Sequence, residues 1–145
     1  GMRESLDKFV LENGVPVLGI CVGMQMLAKS SEEGILPGLG WIYGTVKKMD
    51  ISVLKSITKL PHMGWNTINP NNGNRLLSSF NNDSRFYFLH SYYFQCNNQT
   101  DTIATTDYGI QFTSAVNYKN IYGVQFHPEK SHKWGIQLLK NFAEM

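Results

Sequence analysis

A chain of 145 residues with 42% hydrophobic and 17% charged content has the size and composition of one globular domain with a real core. A formal net charge of +2, with Lys47-Lys48 as the longest basic run, argues against a nucleic-acid-binding face, and no apolar run is long enough to span a membrane. Two cysteines, Cys21 and Cys96, do not make a disulfide framework and no signal peptide is read at the start, so a reducing, cytoplasmic setting is expected.

Met2, Leu6, Phe9 and Val10 recur at helical spacing and Asn13-Gly14 supplies a stop, predicting an N-terminal helix. Val17 to Ile20 reads as a buried strand that turns sharply at Cys21 into a helix over Met24 to Ala28. Gly19 and Gly23 flank the cysteine in a G-x-C-x-G pattern, the thiol form of a nucleophile elbow, and give the turn room. The N–H groups and dipole of the following helix favour a thiolate, so a lowered Cys21 pKa is expected, and the Val22 N–H is placed to hold an oxyanion.

Downstream, Ser30 to Gly34 is a polar turn and Leu36 to Gly40 a loop. Trp41 to Met49 and Thr67-Ile68 read as strands separated by a Leu60-to-Asn66 loop, in which an exposed Trp65 suits contact with a partner. Asn69 to Asn74 is a polar connection, and Leu76 to Phe80 one helical turn. The aromatic run Phe86 to Phe94 suits a strand, as do Thr102 to Thr106, Gln111 to Val116 and Ile121 to Phe126. Trp134, Leu138 and Phe142 share one face of a closing helix. With no repeat and no linker, the order predicts one α/β domain over 1–145, a mixed sheet with helices on its faces.

A base for the thiol is offered by Val124 to Ser131. Pro128 makes His127 extended, and residues two apart in an extended segment point the same way, so Glu129 can orient the imidazole and leave its other nitrogen for Cys21. His62 and His90 read as structural or interfacial, His132 as surface and Cys96 as buried and inert. Without a C-x-x-C or H-x-x-x-H pair, no metal site is expected.

The elbow Gly19-Ile20-Cys21-Val22-Gly23-Met24-Gln25 and the Phe126-His127-Pro128-Glu129 loop resemble those of class I, triad-type glutamine amidotransferases. Pro61-His62-Met63-Gly64-Trp65-Asn66, Phe88-Leu89-His90-Ser91-Tyr92-Tyr93 and Lys130-Ser131 resemble, more narrowly, the glutaminase subunits of imidazole glycerol phosphate synthase. The resemblance implies a flavodoxin-like mixed sheet with helices on both faces and no cofactor. It implies that Cys21 attacks the side-chain amide of glutamine to form a thioester and ammonia, with His127 moving protons and Glu129 orienting it. Gln25, Glu33, Ser91 and Tyr92 match positions that hold glutamine. Trp65, Tyr87 and Lys130 match positions facing a (βα)8-barrel cyclase partner, which receives the ammonia and makes imidazole glycerol phosphate and AICAR in histidine biosynthesis.

Family members open with further strands and a Pro-Gly-Val-Gly-like loop that supplies a second oxyanion N–H. This chain is expected to start just past that loop, with the N-terminal strands absent; loss of one such donor costs about 10² to 10³ in rate. Val22, where the family more often has Leu, keeps its backbone N–H. Two alternatives stay open: a paralogue supplying ammonia for amidation of a nucleotide sugar in surface-glycan synthesis, and a non-catalytic partner-binding module.

Overall fold

The computed structural model describes residues 1–50, 52 and 59–145. Helix α1 (Met2–Asp7) runs on as a π-helical turn, Lys8–Glu12. Strand β1 (Val17–Ile20) leads into the single-turn helix α2 (Val22–Gln25), then β2 (Ser30–Ser31), β3 (Gly44–Lys48), β4 (His62–Thr67) and β5 (Asn69–Pro70). After a 3-10 turn at Arg75–Leu77 come β6 (Arg85–His90), β7 (Tyr92–Cys96), β8 (Thr102–Tyr108), β9 (Ile110–Tyr118), β10 (Ile121–Val124) and helix α3 (His132–Ala143).

Among the described residues the main sheet has eight strands, in the order β1-β10-β9-β7-β3-β2, with β8 paired to β9 and β5. It is mixed: β1 with β10 and β2 with β3 are parallel, and the other pairs antiparallel. Strands β4 and β6 form a separate antiparallel ribbon. This is the mixed α/β fold expected, with few helices. Among the described residues no helix is long and apolar enough to cross a membrane.

Apolar residues sit on both faces of the sheet because successive strand residues point to opposite sides. Ala115 joins one core cluster and its neighbour Val116 the other; Tyr122 and Ile121 divide in the same way. The first cluster lies under the β4–β6 ribbon and α3, where the Phe86 and Phe126 rings stack at 4.1 Å and Phe88 meets Phe126 edge-on at 5.6 Å. The second packs Met24, Leu27, Trp41 and Ile42 against Val46, Phe94 and Ile121.

Four local expectations are corrected. The elbow helix stops after Gln25, because the carbonyls of Met26, Leu27 and Ala28 accept from the N–H groups of Leu39, Ile42 and Gly40 instead of continuing a helical ladder. Pro61 to Asn66 is not a loop: His62–Thr67 pairs residue for residue with β6. The aromatic run is not one strand, since it breaks at Ser91 and its halves join different sheets. The N-terminal helix buries only Val10 of its apolar set, leaving Met2, Leu6 and Phe9 exposed. It is tied instead by Trp41 Nε1 donating to Asp7 at 2.8 Å and Arg3 Nη2 donating to Leu39 O at 2.8 Å.

Truncating Phe88 to Ala removes a fully buried ring touching Phe112, Phe126 and His62, and is expected to cost about 3 to 5 kcal/mol in urea unfolding. Leu36→Ala, on a side chain 80% exposed, should stay within about 0.5 kcal/mol of the parent.

Candidate active site

The parallel register of β1 with β10, Gly19↔Gly123 and Ile20↔Val124, sets the first residues beyond each strand side by side. The Cys21 N–H donates to Val124 O at 2.8 Å. Cys21 itself has φ 54° and ψ −108°, a left-handed conformation that costs a non-glycine residue about 1 to 3 kcal/mol and turns its side chain out of the strand. Gly19 makes that turn possible, because a Cβ there would stand 2.6 Å from Gly23 O. Gly23, expected to be needed for room as well, faces open space: its Cβ would meet nothing within 4 Å.

Across the site, the β6 edge away from β4 carries the other half. Cys21 Sγ donates to Leu89 O at 3.8 Å, and the His127 N–H donates to Tyr87 O at 2.9 Å. Carbonyls two residues apart on a strand face the same edge, so the Cys21 sulfur and the His127 backbone are both anchored to one edge of β6. Ser131, fully buried, locks the loop: its Oγ donates to His127 O at 2.6 Å and accepts from Tyr87 N at 2.9 Å. Helix α3 closes over it at Gly135, where a Cβ would lie 1.7 Å from Pro128 O.

His127 Nδ1 lies 3.2 and 3.1 Å from the two carboxylate oxygens of Glu129. A carboxylate only accepts, so Nδ1 carries the proton and Nε2 is left free to accept one. The pair is partly exposed, with Glu129 at 48%, so it orients the ring more than it stabilises the fold.

The thiol is not lowered as the helix argument expects. Burial pushes the Cys21 pKa up, helped by the nearby Glu129 charge, and outweighs the Val22 N–H, Gln125 and Lys130, which pull it down. With only one turn, α2 supplies little dipole. Cys96 is buried and pushed up to about 11, as suits an inert thiol.

Beside Cys21 opens a cavity of about 250 Å³ lined by Cys21, Val22, Gln25, Glu33, Leu89, His90, Ser91 and Tyr92. It brings together all four residues expected to hold substrate, the thiol and the Val22 backbone. Trp65, Tyr87 and Lys130 meet elsewhere on the surface: Trp65 packs edge-on against Tyr87 at 6.2 Å, and Lys130 Nζ lies 5.9 Å over the Tyr87 ring. His132, exposed as expected, stacks on Trp65 at 5.5 Å, a pairing that no local pattern signals.

Gln125 was missed by sequence reasoning, and His90, read as structural or interfacial, is buried and also borders the cavity. Gln125 is fully buried with its Nε2 3.6 Å from Cys21 Sγ; the available signal was a polar residue inside the apolar run Val124 to Phe126. His90 lines the cavity and forms a buried pair with His62. Tyr92 O must accept from His90 Nδ1, so His90 Nε2 accepts from His62 Nδ1 at 2.9 Å, and His62 Nε2 accepts from Asn66 Nδ2 at 3.2 Å. Both imidazoles are therefore neutral. Burial lowers His62 to about 3 and His90 to about 4 from 6.5.

Gly19→Ala is expected to lose the elbow and drop the melting temperature, whereas Gly23→Ala keeps or slightly raises it, which thermal melts of the two variants will check. The neutral histidines set a pH dependence. The unfolded chain protonates them near 6.5 while the folded chain does not, so their contribution is full above pH 6.5 and falls as the pH drops toward about 4 and about 3. The urea midpoint should decline on acidification below 6.5, and less steeply in the double variant His62→Gln/His90→Gln.

Residues 2–145 match the family model for glutamine amidotransferase class-I. The chain is similar to the imidazole glycerol phosphate synthase subunit HisH of Bdellovibrio bacteriovorus, at 54% identity over all of this chain and 71% of that protein. The HisH subunit of Leptospira interrogans is 52% identical, again over the whole chain and 71% of the relative. Among solved structures, a glutamine amidotransferase of Thermotoga maritima shares the fold with a TM-score of 0.62 at 22% identity, over 99% of this chain and 53% of that one. The chain belongs to the class-I glutamine amidotransferase family.

Proposed function

We propose that the chain is the glutaminase subunit of imidazole glycerol phosphate synthase, working in the cytoplasm and releasing ammonia from glutamine for a (βα)8-barrel cyclase of histidine biosynthesis. The observation that carries this reading is the placement of a left-handed Cys21 and a Glu129-oriented His127 along one edge of β6, beside a cavity lined by Gln25, Glu33, Ser91 and Tyr92.

In the first half-reaction Cys21 Sγ turns from Leu89 O and gives its proton to His127 Nε2 as the sulfur attacks the substrate's side-chain carbonyl carbon. The developing oxyanion meets the Val22 N–H, and the imidazolium is steadied by Glu129. His127 returns the proton to the leaving nitrogen, the C–N bond breaks, and ammonia departs from a thioester. Water then adds to the thioester carbon, His127 takes its proton, and loss of the thiol yields glutamate. Gln25, Glu33, Ser91 and Tyr92, which line the cavity with Cys21, bind the amino-acid part of glutamine. The Trp65, Tyr87, Lys130 cluster is the docking face for the cyclase, with an aromatic at its centre as such hot spots favour.

The test is glutamate release from glutamine by the chain mixed with the histidine-pathway cyclase carrying its nucleotide ligand. Cys21→Ala should bring release to background while complex formation persists; a Cys21→Ala complex that still hydrolyses glutamine overturns the assignment.

A further inference from the structure

We propose that Gln125 is a positioning residue for this reaction: its side-chain amide holds the Cys21 sulfur and donates to it when the proton leaves, while Gln25 fixes the direction in which that amide points. The proposal rests on Cys21 as the nucleophile.

The orientation is set by donors and acceptors. Tyr92 O can only accept, and Gln25 Nε2 donates to it at 3.3 Å. The same Nε2 lies 3.1 Å from the Gln125 side chain, which must therefore present Oε1. Gln125 Nε2 is left facing Cys21 Sγ at 3.6 Å. The Tyr92 carbonyl at the start of β7 thus decides, through two amides, that the sulfur meets an N–H.

A buried amide is costly unless it is bonded, and its neighbours Val124 and Phe126 are fully buried apolar residues. The N–H gains little against a neutral thiol, a weak acceptor, and more against a thiolate. It therefore favours the reactive form selectively, in a site where burial disfavours it. The ionisable groups around the sulfur are His90 of β6, Tyr92 of β7, Glu33 of the cavity, and His127, Glu129 and Lys130 of the loop after β10.

The experiment tracks iodoacetamide alkylation of Cys21 in the chain against pH, read by peptide mass so that Cys96 is scored separately. Gln125→Met removes the donor at similar volume; Gln125→Glu keeps the acceptor for Gln25 but places a charge where the N–H was. The Met variant should shift the alkylation midpoint up by about one pH unit, roughly tenfold slower labelling below both midpoints, and the Glu variant further. A purely structural role would lower the melting temperature and leave the midpoint unchanged. A folded Met variant with the parent midpoint overturns the proposal, and should that variant not fold, an unshifted Glu variant does so. Failure of the glutaminase reading shows separately, as glutamine hydrolysis surviving Cys21→Ala.

Discussion

The parallel pairing of β1 with β10 is the constraint on which the site depends. It joins stretches 104 residues apart at Cys21 and Gln125, and both strands end at the same level because Ile20 is opposite Val124. The elbow after β1 and the His127 loop after β10 then share one end of the sheet, where α/β proteins gather their functional groups. β10 is buried along its whole length, so the pairing cannot slip without moving apolar side chains out of both core clusters.

Strand β6 completes the arrangement by using its two edges differently. One edge binds β4; the other offers Tyr87 and Leu89 carbonyls to the His127 backbone and the Cys21 sulfur. Its side chains alternate likewise: Phe86, Phe88 and His90 turn into the core, while Tyr87 faces outward to Trp65 and Lys130. Core, candidate catalytic groups and aromatic surface cluster are thus hung on six residues, so displacement of β6 would be felt in all three.

Electrostatically the site is a balance in which desolvation leads. Burial keeps His62 and His90 neutral and favours the protonated thiol at Cys21, against short-range donors from Val22 and Gln125.

Local chemistry made much of this legible in the sequence. Glycines around a cysteine after an apolar strand define an elbow, and a proline between histidine and glutamate makes an extended pair whose side chains meet; both rest on backbone restrictions that act within a few residues, and both are found in the fold. The four cavity residues carried over by resemblance also converge. Features beyond the reach of the sequence depend on groups distant along it. Met26 to Ala28 leave the helix because Leu39, Gly40 and Ile42 take their carbonyls, and His62–Thr67 becomes a strand because β6 offers an edge. The rise in the Cys21 pKa and the aim of Gln125 were likewise decided only in three dimensions, since desolvation and hydrogen-bond direction are set by what packs around a side chain and not by its neighbours in the chain.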